Sequence, residues 1–132
     1  MNNRFKFRVY NNKQNKWVHG PGNEVNLFGE TILLGGFMQN VPTAELNDCV
    51  ALQYTGLTDK NGNLIFEGDI VQYNQNSSYD NMNFIAKWSD NQLGFIFQSN
   101  SGEQLVNQMP HLNRFKHLEV VGNIFENSEL LK

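Results

Sequence analysis

Apolar and polar residues alternate through the strongest segments of this chain. In residues 4–10, RFKFRVY, Phe5, Phe7 and Val9 fall on one face of an extended segment and Arg4, Lys6 and Arg8 on the other, the period-two signature of a half-buried strand. NNKQNK, residues 11–16, is a turn, and Trp17, Val18 and His19 return along a second strand that ends at the GPG of residues 20–22. The chain therefore opens with a hairpin. From residue 23 to 42 the pattern fades into short apolar pieces broken by Gly29, Gly35 and Gly36, which predicts short strands or an irregular excursion. Alternation returns over residues 48–55, DCVALQYT, with Val50, Leu52 and Tyr54 on one face and Cys49, Ala51 and Gln53 on the other.

The next segment, residues 54–71, reads YTGLTDKNGNLIFEGDIV. Its acids and amides suit turns. Asp59 can bond its own downstream backbone, and Asn61-Gly62 tolerates positive φ, so TDKNGN is a tight loop or hairpin. LIFEGDIVQY then resumes an extended chain with a bulge or sharp bend at Gly68. Residues 75–83, QNSSYDNMN, predict a polar, mobile loop. FIAKW and LGFIF follow as two strands joined by SDNQ. Residues 99–116 are ambiguous, since Pro110 limits any regular element that crosses it. HLEVVGNIFEN reads as a closing strand, and Asn127 is placed to cap one short helical turn in NSELLK. Short strands, close spacing and turn signals predict an all-β domain, a small barrel or sandwich with at most short helical turns.

A chain of 132 residues is one ordinary domain, 1–132, able to bury a core without staples. Its single cysteine, Cys49, excludes an internal disulfide. The N-terminus carries no secretory pattern, and no run approaches the apolar length of a membrane span, so a cytoplasmic protein without membrane attachment is expected. A formal charge of −3 disfavours wholesale phosphate binding. The basic residues Arg4, Lys6, Arg8, Arg114 and Lys116 would have to form one patch to bind nucleic acid. Interleaved with apolar residues, they read more simply as the wet side of strands.

Candidate chemistry meets a structural alternative at each site. Asp59, Asn61 and Asn63 alternate as at the start of an EF-hand loop, but that loop needs glycine sixth and glutamate twelfth. Counted from Asp59, those places hold Leu64 and Ile70. Glu67 and Asp69 resemble a general acid/base pair, yet the bend at Gly68 directs Asp69 to turn amides and leaves Glu67 solvated. Cys49 has no histidine nearby in sequence, because His19, His111 and His117 are remote, and the histidines lack metal-ligand spacing. No catalytic residue, metal site or cofactor is expected. Most of Phe84, Phe95, Phe97, Trp17, Trp88 and Phe125 are expected in the core, though on a barrel surface they could stack bases.

Three blocks together, FKFRVYNNKQNKWV, QYTGLTDKNGNLIFEGDIV and EVVGNIFENSELL, resemble the YopX family of phage and prophage proteins of low-GC Gram-positive bacteria. The middle block carries the specificity through Tyr54, Gly56, Leu57, Asp59, Asn61, Gly62, Glu67, Gly68, Asp69 and Val71. The resemblance implies a mainly β, barrel-like fold, phage or prophage origin and residence in the host cytoplasm. It implies no activity. The EGDIV bend also looks like the turn of SH3-like barrels, an analogy of fold alone. The expected function is a non-catalytic accessory module that binds another protein or self-assembles. The alternative is a nucleic-acid-binding β-barrel using the basic residues of the first and last strands.

Overall fold

The computed structural model describes residues 6–19, 25–26, 48–105 and 117–131. Arg4, the GPG of residues 20–22, His111, Arg114 and Lys116 lie outside the described residues, as do most of 23–42 and 106–116. The fold is all-β, with two antiparallel sheets, one half-barrel and no α-helix among the described residues. The chain divides into two compact units, Met1–Tyr54 and Thr55–Lys132.

In the first unit, β1 (Lys6–Asn11) lies between β2 (Lys16–His19) and β4 (Cys49–Thr58), with the two-residue β3 (Val25–Asn26) also paired to β1. The opening hairpin forms as the alternation requires. Asn11 closes it: its Oδ1 accepts from the amides of Lys13 and Gln14, both at 2.9 Å, and Asn15 takes φ +55°. Strict alternation fails at the end of β1, where Val9, Tyr10 and Asn11 are all buried. The register with β2 slips between Val9 and Tyr10, with Val18 the extra residue on β2, while β1 keeps unbroken register with β4. Arg8 is correspondingly not on a freely solvated face. It is half-buried, with its guanidinium carbon 5.9 Å from the centre of the Trp17 ring.

In the second unit, β4 runs on beside β5 (Leu64–Phe66), and Thr55 Oγ1 donates to the Ile65 carbonyl at 2.7 Å. A four-stranded sheet follows, in the order β8 (Gly94–Gln98), β7 (Phe84–Ser89), β6 (Asp69–Tyr73), β9 (Leu118–Asn123). Between them these elements bury Ile65, Val71, Tyr73, Phe84, Ala86, Phe97, Leu105 and Leu118. Ile70 and Val71 are both fully buried although, as neighbours along β6, they point to opposite faces.

The structure refines three local expectations. LIFEGDIVQY is not one bent strand: the chain turns at Glu67 and Gly68 and passes from β5, beside β4, into β6 of the four-stranded sheet. Residues 75–83 form a polar loop bridged by side-chain bonds. Asp80 Oδ1 accepts from the amides of Gln75 and Ser77, Asn74 Oδ1 accepts from the Asn81 amide, and Tyr79 meets Phe84 edge-on at 5.7 Å. Asn127 does precede a 3-10 turn (Ser128–Leu131), but its side-chain Oδ1 reaches back to the Asn123 amide at 3.1 Å.

That backward reach explains Gly122. A Cβ there would lie 2.7 Å from Asn127 Cγ and Oδ1, too close to tolerate. Gly122→Ala should therefore displace the Asn127 side chain and destabilise the protein by about 1–3 kcal/mol. The displacement has a specific signature. In urea unfolding, the loss from Gly122→Ala should shrink when Asn127→Gly is already present, since the Cβ, Cγ and Oδ1 of residue 127 that a Gly122 Cβ would meet are then all gone.

Candidate functional site

The turn-and-bend motif comprises two separate devices. In the first, the loop between β4 and β5 folds around the carboxylate of Asp59, a residue 5% exposed. Its Oδ1 accepts from the amides of Asn61 at 2.9 Å and Asn63 at 2.8 Å, and its Oδ2 from Asn63 Nδ2 at 3.2 Å. Asp59 and Asn63 also join through main chain at 2.8 Å, and the Gly62 amide donates to the Asp59 carbonyl at 3.0 Å. This much is the turn chemistry expected from sequence. The fourth bond was not: Asp59 Oδ2 accepts the amide of Val120, at 3.0 Å, from a strand 61 residues away.

Lys60 completes the attachment. Its amide donates to the Leu118 carbonyl at 2.8 Å, and its Nζ lies 3.4 Å from Glu119 Oε1. On β9, Glu119 pairs with Gln72 of β6, while Leu118 and Val120 turn backbone groups toward the loop. The Asp59-Lys60 segment thus covers the outer edge of β9 with one acceptor and one donor, as a further strand would. An exposed sheet edge templates unwanted pairing, and here two of its groups are satisfied from within the chain.

Burial raises the Asp59 pKa, but the amides of Val120 and Asn63, the Asn63 side chain and the Asn61 amide outweigh it, and the carboxyl is held below its usual value. Gly62 serves the same loop at φ +85° with nothing within 4 Å of a built Cβ. Gly62→Val meets no clash, so its effect isolates the backbone: a destabilisation of about 1–2 kcal/mol, read as a lower melting temperature.

The second device is Gly68 with Asp69. Asp69, 2% exposed, accepts the Phe66 amide at 2.8 Å through Oδ2 and so closes the turn between β5 and β6. Gly68, at φ +85°, donates to the Ala86 carbonyl and accepts from the Ile124 amide, which fixes the point where the chain changes sheets. Glu67 is half-buried rather than simply solvated. Asp69 thus directs Oδ2 to main chain, as the bend at Gly68 led one to expect. Tyr54 is buried, which raises its hydroxyl pKa, and Gly56 stands at φ +91° within β4.

Of the proposed nucleic-acid contacts, Lys6 and Arg8 lie on β1 and are partly buried. Cys49 is half-buried. Among the described residues, no group of three or more His, Cys, Asp or Glu could hold a metal, and no helix is long and apolar enough to cross a membrane. A shallow pocket of about 330 Å³ lies between Asn83, Asn100, Ser101 and Leu131. Its amides serve the chain itself, since Asn83 Nδ2 donates to the Leu130 carbonyl at 2.7 Å and Asn100 Nδ2 to that of Leu131.

The hairpin of β7 and β8 carries a feature that alternation alone did not reveal. Trp88 and Phe95 pair across the strands, ring centres 5.2 Å apart and edge to face. They continue the face that bears Phe84, Ala86 and Phe97, but beyond the end of the core, and Trp88 is 47% exposed. At the tip Leu93 is 80% exposed and held at φ +52°. A branched apolar side chain in the left-handed region is strained, and in solvent it gains nothing by burial.

A scan of protein-family models matches the family described as YopX protein over residues 6–132. Among solved structures the chain is similar to protein EF1440 from Enterococcus faecalis, with a TM-score of 0.55, 25% sequence identity, and coverage of 96% of this chain and 97% of that one. A search of curated proteins gives no match. Since the family match spans nearly the whole chain and the strands, turns and bend it contains are those described above, the protein belongs to the YopX family.

Proposed function

We propose that this protein is a non-catalytic accessory module of phage or prophage origin, acting in the host cytoplasm by binding another protein or by self-assembly. The observation that carries this is the end of the β7–β8 hairpin, where Trp88 and Leu93 are the exposed large hydrophobics among the described residues. Exposed aromatic anchors are the residues from which protein interfaces draw most of their binding energy. A strained, solvent-facing Leu93 adds to this, because an outlier that stability does not explain points to a surface with another use. The half-buried Arg8, packed over Trp17, makes that guanidinium less available for phosphate.

Affinity capture of the tagged protein from its host, with nuclease treatment in parallel, tests this when combined with light scattering of the purified chain. Capture or self-association should survive nuclease and moderate salt and be lost in Trp88→Ala and Leu93→Asp. Leu93→Gly separates contact from folding, since it relieves the backbone strain while removing the apolar surface: the variant should fold at least as stably yet bind poorly. Submicromolar DNA or RNA binding that weakens steeply with salt and disappears on charge reversal of Arg4, Arg8 and Lys116 would promote the nucleic-acid alternative instead.

A further inference from the structure

Asn61 and Gly62 form an Asn-Gly pair at the exposed end of the β4–β5 loop. In such a pair the glycine backbone nitrogen can attack the asparagine side-chain carbonyl carbon. The N–Cγ bond forms, the Cγ–Nδ2 bond breaks, and the departing nitrogen leaves as ammonia with the proton given up by the attacking amide. Water then opens the cyclic imide to aspartate or to isoaspartate, so the reaction needs only water. Glycine leaves the approach open, and at Gly62 nothing lies within 4 Å of where a Cβ would stand.

We infer that Asn61 is a site of intrinsic deamidation, held back by the Asp59 loop, and that its modification unlocks the loop from the edge of β9. The nucleophile is engaged, since the Gly62 amide donates to the Asp59 carbonyl at 3.0 Å. The electrophilic residue is fixed as well, with the Asn61 amide bonded to Asp59 Oδ1 at 2.9 Å and that of Asn63 at 2.8 Å. Attack requires Gly62 nitrogen to leave its acceptor and the chain to rotate toward Asn61 Cγ, so the reaction proceeds from a locally opened loop. Isoaspartate then places an extra backbone carbon inside the span that the Asp59–Asn63 main-chain bond closes at 2.8 Å. The tightly closed loop cannot absorb it and keep every bond. What is lost with the loop is the cover over the Val120 amide and Leu118 carbonyl.

The experiment ages the full-length chain in mildly alkaline buffer and follows residue 61 by peptide mapping and isoaspartate-specific methyl labelling, beside a synthetic peptide of residues 57–66. Modification in the chain should be slower than in the peptide by about tenfold or more, because only the opened loop reacts. Asp59→Ala should bring the chain toward the peptide's rate. Equal rates in wild-type chain and peptide would overturn the gating, as would an Asp59→Ala chain as slow as the wild type. A second measurement requires no variant: the aged chain, more acidic by one charge, is separated by ion exchange and melted. The modified fraction should melt below the unmodified, and coincident transitions would overturn the link to β9.

Discussion

Replacing Asp59 with alanine should destabilise the protein by about 2–4 kcal/mol, the largest effect expected of any polar substitution in the described residues. The carboxylate accepts four hydrogen bonds, three within its loop and one from Val120. Alanine leaves those donors without their acceptor and frees the loop from β9 as well. Asp59→Asn should be nearly as damaging, although it preserves shape. Each oxygen receives two donors, so whichever way the amide sits, its NH2 group faces two N–H groups. Urea midpoints should fall in both variants at similar m-values. An asparagine variant as stable as the wild type would show that charge and acceptor count are unimportant here.

The same carboxylate gives a pH dependence of known sign. Its pKa is lowered in the folded protein, so its stabilisation is fully present above the unfolded-state value of about 3.9 and is lost as pH falls through the folded-state value. The wild type should therefore lose stability on acidification below the ordinary carboxylate range. Asp59→Asn should lack that part of the acid response, so the two unfolding curves should converge as pH falls.

Phe84→Ala should cost about 3–5 kcal/mol, the range for removing a fully buried aromatic ring. Phe84 is 0% exposed, belongs to the core with Phe97, Leu105 and Leu118, and receives the edge of Tyr79 at 5.7 Å. Two losses combine: apolar area returns to a cavity that neighbouring strands cannot collapse to fill, and the loop of residues 75–83 loses the surface on which Tyr79 rests. Phe84→Leu keeps most of the volume and should lose less than half as much. Trp88→Ala on the same strand provides the contrast, because Trp88 is 47% exposed and its truncation should barely change the melting temperature. Comparable losses at the two positions would contradict the boundary drawn between core and exposed hairpin end.

By itself the sequence determined the all-β class, the opening hairpin, the loop at Asn61-Gly62 and the bend at Gly68. Each depends on interactions between near neighbours: alternation places side chains on two faces, and Asn, Asp and Gly carry their turn preferences wherever they occur. The bond from Asp59 to the turn amides was legible for that reason, spanning only four residues. Its bond to Val120 was not, because nothing in a local pattern specifies which distant strand arrives at a loop. Tertiary structure also decided that β5 and β6 belong to different sheets, since one extended run with a glycine is the same string of letters whether it bends or crosses over. The exposure of Trp88 and the burial of Phe84 were settled in the same way. Both lie on one face of β7, and only the point at which the core ends distinguishes an interior aromatic from one left in solvent.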